Sequence, residues 1–146
     1  MTDTIKFQCN LSTSNSVVPL GFEILLNNKS VFKREHVTDP CQISLDIEDI
    51  DAAEQKLQFV MTGKTVEHTK VDDQGNITED AMLTIGDVLF DDIDINQLLI
   101  EQAEYTHDFN GTQNPIKDNF YGNMGCNGTI TFEFNTPFYL WLLENM

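Results

Sequence analysis

The sequence predicts an all-β fold: an antiparallel β-sandwich, jelly-roll-like, with room for a short helix at the C-terminal end. Three observations lead there. Apolar residues alternate with polar ones in many short runs, as half-buried strands do. Polar turns separate those runs. No stretch carries a convincing long helical pattern. The chain has 146 residues, which is the size of one domain, read here as residues 1–146. That length buries a core without disulfide or metal staples.

In chain order, Ile5, Phe7, Cys9 and Leu11 alternate with Lys6, Gln8 and Asn10 and make a first strand. Phe22, Ile24 and Leu26 make a second, Asn27-Asn28-Lys29 a turn and Val31-Phe32 the return, so a β-hairpin is expected. Asp39-Pro40 breaks the chain, and Cys41, Ile43, Leu45 and Ile47 then alternate. Glu48 to Glu54 reads as an acidic loop or a single helical turn, and Leu57, Phe59 and Met61 form the next inward row. A polar stretch from Gly63 to Asp80 turns around Asp72-Asp73-Gln74-Gly75-Asn76. Met82 to Ile85 and Val88 to Leu99 read as strands.

Tyr105 to Gly128 has no periodicity. Its 24 residues include four Gly and five Asn together with Tyr105, Phe109, Phe120 and Tyr121. A loop of that length in a compact domain is usually functional or disordered, and four aromatics argue for order. The two Phe are expected to plug the loop onto the sandwich and the two Tyr to remain partly exposed. Ile130, Phe132 and Phe134 form the last inward row. Phe138 to Glu144 fits a short helix or a final strand, and Thr136-Pro137 resembles an N-cap followed by Pro at the first helical position.

Net charge is −16 and unevenly spread: residues 71–146 carry fourteen acids and one base, Lys117, whereas residues 1–70 carry ten acids and seven bases. Such a surface repels phosphate backbones and anionic membranes, which excludes nucleic acid and membrane as partners. It suits a divalent cation or a basic protein. The densest apolar stretch, Pro137 to Leu143, is too short to cross a bilayer. The N-terminus lacks the features of a secretory signal, so a soluble protein without a signal peptide is expected. Cys9, Cys41 and Cys126 are odd in number and lack CxxC spacing, which rules out a disulfide framework and a zinc site.

No recognisable enzyme active site emerges. There is no G-x-S-x-G elbow and no H-E-x-x-H. Cys126 and His107 share the long loop, and a Cys–His pair there is weighed against a cysteine in a tight turn. Calcium is the better metal candidate. It takes oxygens from carboxylates, amides and carbonyls, and the acidic run supplies Glu67, Asp72, Asp73, Glu79 and Asp80 as candidate ligands. The alternative is an acidic hairpin whose residues only make a turn. For ligand binding, the long loop offers Tyr faces and paired hydrogen-bonding side chains: Tyr105, His107, Asp108, Asn110, Tyr121, Asn123 and Asn127.

Leu57-Gln58-Phe59-Val60-Met61, Glu79-Asp80-Ala81-Met82-Leu83-Thr84-Ile85, Asp91-Asp92-Ile93-Asp94-Ile95-Asn96 and Cys126-Asn127-Gly128-Thr129-Ile130-Thr131-Phe132 follow one another in an order that resembles the calcium-dependent xylan-binding carbohydrate-binding modules. The early hairpin, Phe22 to Lys29, is similar to that family's first strand pair. The resemblance implies a β-sandwich, a bound Ca2+ and a polysaccharide ligand, with Asp80 as a calcium-loop acid. Thr62-Gly63 stands where the family has Asn-Asp, and Cys126 where an aromatic often precedes the Asn-Gly turn. Glu67-His68-Thr69-Lys70, Tyr105 to Gly111 and Tyr139 to Glu144 also resemble small proteins of contractile-tailed marine cyanophages. That resemblance implies a host cytoplasm and then a virion. Two readings follow: a calcium-assisted, virion-associated carbohydrate-binding module, or a structural virion protein that contacts other virion proteins through its loops and C-terminus. A small hydrolase is the third and weakest. The consecutive apolar residues Phe138 to Leu143 cannot all face one core, so part of the segment is covered either by the chain's own N-terminal strand or long loop or by a second copy, in a homo-oligomer in which Trp141 would be shielded only on assembly.

Overall fold

The computed structural model describes residues 4–50, 53–65, 70–108 and 114–145. Thirteen strands and two helices occur among them: β1 (Thr4–Thr13), β2 (Gly21–Leu26), β3 (Lys29–Arg34), β4 (Cys41–Glu48), β5 (Ala53–Thr62), β6 (Lys70–Val71), β7 (Ile77–Glu79), β8 (Leu83–Phe90), β9 (Ile93–Asp94), α1 (Asn96–Gln102), β10 (Glu104–His107), β11 (Ile116–Asn119), β12 (Asn123–Met124), β13 (Gly128–Thr136) and α2 (Phe138–Asn145). One sheet of the sandwich runs β12-β8-β1-β4 with β9 on β8, the other runs β11-β10-β13-β5-β2-β3, and β6 and β7 pair separately as a two-stranded hairpin. Every pairing is antiparallel. The expected sandwich is the observed fold.

The strands lie where side-chain alternation puts them, because a period of two sends every second residue to one face. β1 buries Ile5, Phe7, Cys9 and Leu11, β5 buries Leu57, Phe59 and Met61, and β13 buries Ile130, Phe132 and Phe134. Aromatic rings link the layers. Phe7 and Phe90 of the first sheet meet with centroids 5.3 Å apart, and Phe7 reaches Phe59 of the second at 6.1 Å. Phe90 also stacks on Phe138 at 4.5 Å and meets Phe134 edge-on at 5.3 Å. The β2–β3 hairpin turns through Asn27 and Asn28, both with positive φ (53° and 70°), the backbone that a two-residue hairpin turn needs and Asn tolerates. The Asn27 side chain then binds β5, accepting from Lys56 N–H (2.8 Å) and donating to Gln55 Oε1 (2.6 Å).

Three expectations are corrected. Val88 to Leu99 is not continuous strand. Asp91 and Asp92 turn the chain with positive φ, and Asp94 Oδ1 accepts from the Asn96 backbone and side chain at 2.8 and 2.7 Å. α1 then follows and buries Leu98 and Leu99. The stretch Tyr105 to Gly128 is not one irregular loop, since β10, β11 and β12 lie within it, each too short to show a period. Thr136 is not the cap of α2. It is the last residue of β13, with its hydroxyl donating to Ala53 C=O at 3.4 Å, and the first N–H of the helix, on Phe138, donates instead to Asp49 Oδ1 at 2.8 Å. At the C-terminus, Trp141 is covered by its own chain, among Phe132, Phe134 and Phe138, which is one of the two coverings expected for this segment. α2 divides its apolar residues: Phe138, Trp141 and Leu142 face inward, while Leu140 and Leu143 are 60% and 73% exposed.

Because Phe90 joins both sheets and α2, Phe90→Ala should remove about 3–5 kcal/mol of stability. A urea titration checks this, and the wild-type Trp141 emission should already be blue-shifted in dilute solution.

Candidate functional site

β11 ends one sheet and β12 ends the other, so the segment between them crosses the open edge of the sandwich. Phe120 is fully buried there and plugs the edge, as expected of it. Phe109 lies outside the described residues. Tyr121 follows at 66% exposure. Gly122, at φ 97°, turns the chain so that its C=O accepts from Ile85 N–H at 2.8 Å. Asn123 then pairs with Thr84 of β8, and Thr84 Oγ1 donates to Asn123 Oδ1 at 2.8 Å. Asn119 Nδ2 donates to Tyr121 Oη at 3.1 Å, which holds the exposed ring by its hydroxyl. Asn119 with Tyr121, and Asn123 with Thr84, are thus two exposed, hydrogen-bonded pairs along one segment, the first carrying an aromatic face.

The other expected ligand contacts among the described residues are buried or half-buried. Tyr105 is 6% exposed, which corrects the expectation that it is partly exposed. Its hydroxyl donates to the Cys126 carbonyl and accepts from the Cys126 N–H at 2.9 Å. Burial pushes the phenol well above its ordinary range, against an opposing contribution from the Cys126 N–H bond. Its ring packs against buried His107, whose Nε2 lies 3.6 Å from Asp118 Oδ2. Asp108 is half-buried at the end of β10. Asn127 is half-buried and spent on the backbone of Lys64, accepting from its N–H (2.9 Å) and donating to its C=O (2.6 Å). Asn110 lies outside the described residues. The Cys126 thiol is pushed up chiefly by burial, with Lys64 opposing and Asp80 and Asp108 adding to the rise. That keeps it protonated at neutral pH and weakens the case for a nucleophile.

Lys64 is the residue that the sequence reading missed. It is 4% exposed. Its ammonium donates to Asp80 Oδ1 at 2.5 Å and to the Gly125 carbonyl at 2.6 Å. Asp80 Oδ1 also accepts from Ala81 N–H at 2.8 Å. The preceding Gly63 has φ +90°, and a Cβ there would sit 2.2 Å from the Pro19 carbonyl oxygen, so only glycine turns the chain at this point. One lysine after a strand carries no sequence signal of its own. The unusual feature was the glycine before it.

Among the described residues, the candidate calcium ligands Asp72, Asp73 and Asp80 do not gather. Asp72 is fully exposed at the tip of the β6–β7 hairpin, and its Oδ1 accepts from Gln74 N–H and Asn76 N–H, each at 2.9 Å. These bonds, Asn76 first and Gln74 next, hold its carboxyl below the usual range. They are the bonds of an Asx turn, which is the work the turn reading assigned to Asp72. Asp73 is exposed beside it. The register Lys70↔Glu79 puts Asp80 at the opposite, base end of the hairpin. Glu67 and the side chain of Glu79 lie outside the described residues. Among the described residues, no three His, Cys, Asp or Glu side chains converge as a metal requires. A calcium ion at Asp80 does not fit this arrangement, because Oδ1 already holds an ammonium that would repel a dication sharing the same carboxylate.

No protein-family model and no curated protein sequence matches the chain. Solved structures do. The selenomethionine form of vCBM60, described in work linking two families of calcium-dependent carbohydrate-binding modules by circular permutation, aligns with TM-score 0.53 at 10% identity, over 88% of this chain and 89% of that one. This chain has the fold of vCBM60. The complex of vCBM60 with galactobiose aligns with TM-score 0.50 at 11% identity, over 87% of this chain and 96% of that one. The likeness to vCBM60 is one of fold and spans most of both chains.

Two outcomes follow. Tyr105→Phe leaves the Cys126 backbone without its partner and should cost about 1–3 kcal/mol by chemical denaturation. Asp72 titrates with a lowered pKa in the folded state, so its support of the hairpin is full above its ordinary value and is lost as pH falls through the lowered one. The amide signals of Gln74 and Asn76 should shift together at that low pH, and Asp72→Asn should abolish the transition.

Proposed function

We propose that this chain is a non-catalytic carbohydrate-binding module whose ligand lies on the Tyr121 face. The observation that carries the reading is the exposed Tyr121 ring, bonded by Asn119 and followed two residues on by exposed Asn123 with its partner Thr84, at a sheet edge of a vCBM60-like sandwich. An aromatic face stacks on a pyranose ring, and amide and hydroxyl groups around it pair with sugar hydroxyls. The ligand class is a neutral polysaccharide, because a chain of net charge −16 repels polyanionic glycans. The galactobiose complex of vCBM60 supports a neutral sugar. The buried Tyr105 and His107 support the loop and do not touch the ligand. Calcium has no part at Asp80 in this reading. The setting we propose is the host cytoplasm and then the virion, on the cyanophage resemblance.

Affinity electrophoresis through gels containing neutral polysaccharides tests the proposal. Retention is expected, and Tyr121→Ala should weaken it by about 3–10-fold, the worth of one aromatic contact, with the melting temperature unchanged. A chain retained by no polysaccharide would favour the second reading, a structural virion protein. The observation on that side is the outer face of α2, where Tyr139, Leu140 and Leu143 are exposed. It predicts self-association or partner binding that Leu140→Glu with Leu143→Glu abolishes in sedimentation, without loss of fold.

A further inference from the structure

We infer that Lys64 supplies, from within the chain, the cation around which this end of the sandwich is built, so that Asp80 serves as the counter-ion of an ammonium and not as a metal ligand. The inference rests on the geometry at Lys64 and is independent of the sugar reading.

An ammonium removed from water is costly unless it is paired and hydrogen-bonded. Here it is, by a carboxylate oxygen of Asp80 and a backbone carbonyl of Gly125. Those are the two kinds of oxygen that a hard cation collects from a protein. The three groups come from three separate segments: the end of β5, the approach to β8 and the turn before β13. One positive charge therefore does what a bound ion does in a loop cluster, drawing together strands from both sheets. The lysine is aimed for it. Gly63 turns the backbone at a positive φ that a side chain would block against Pro19, and Asn127 clasps the Lys64 peptide from both sides, at N–H and at C=O. The placement also answers a charge problem. Residues 71–146 carry fourteen acids and one base of their own, and Lys64 reaches into them from the more basic half.

A cation that is part of the chain cannot be removed by a chelator. Melting curves of the wild type in EDTA and in millimolar calcium should therefore coincide. Lys64→Met, which keeps the length but takes the ammonium away from Asp80 and Gly125, should melt several degrees lower in both. A wild type that gains stability in calcium, with the gain abolished by Asp80→Asn, would overturn the inference. So would a Lys64→Met protein as stable as the wild type. Should Lys64→Met fail to fold, the wild type alone decides. The Lys64 ammonium should give a slowly exchanging 1H–15N signal at neutral pH that calcium leaves unmoved. A signal lost to exchange with water, or shifted by saturating calcium, would refute the assignment.

Discussion

Phe90 occupies the point where the two sheets and the C-terminal helix meet. Its ring stacks on Phe138, meets Phe134 edge-on and contacts Phe7 across the neighbouring strand. From Phe7 the contacts pass to Phe59 and on to Phe22, and from Phe134 to Phe132 and Trp141. A core of interlocked rings tolerates little sliding of one sheet over the other, because rings pack in a few preferred orientations and leave no free volume. The relative position of the sheets is thereby set. With it is set the width of the edge that Phe120 plugs, and hence the place where Tyr121 emerges.

The candidate surface and the scaffold divide their residues cleanly. Side chains that carry hydrogen bonds inward, such as Tyr105 to Cys126 and Asn127 to Lys64, hold the chain near the edge in one shape. Tyr121 and Asn123 then point outward from backbone that is already tied to β8 through Gly122 and Thr84. A preorganised surface of this kind loses little conformational entropy when a ligand docks.

The strands that could be read in advance are those with one face in the core and one in water, since burial on alternate residues writes a period of two into the sequence. β1, β4, β5 and β13 are of this type, and the hairpin at Asn27-Asn28 declared itself by residues that accept positive φ. What could not be read has equally physical reasons. β10, β11 and β12 have four, four and two residues, too few for a period. α1 has seven and continues an apolar run, so strand and helix looked alike there. At the site, Asp72 and Asp80 share an acidic stretch in sequence but sit at opposite ends of a hairpin. Tyr105 looked like a surface aromatic because its partner, the Cys126 backbone, has no side-chain signature. The burial of Lys64 depends on Gly125, 61 residues away, a contact that no local pattern encodes.

The pairing of the central strands has a kinetic consequence. β1 lies between β4 and β8, with Phe7 opposite Phe90, and β5 lies between β2 and β13, with Phe59 opposite Ile130. Neither sheet can therefore close from neighbouring segments alone. Each must first bring together stretches separated by roughly half the chain, losing loop entropy before any ring contact repays it. Folding of this chain should accordingly run on the millisecond-to-second scale of sandwiches. The β2–β3 hairpin, closed by a two-residue turn, would form early, and the Lys64 corner would be among the last places to set.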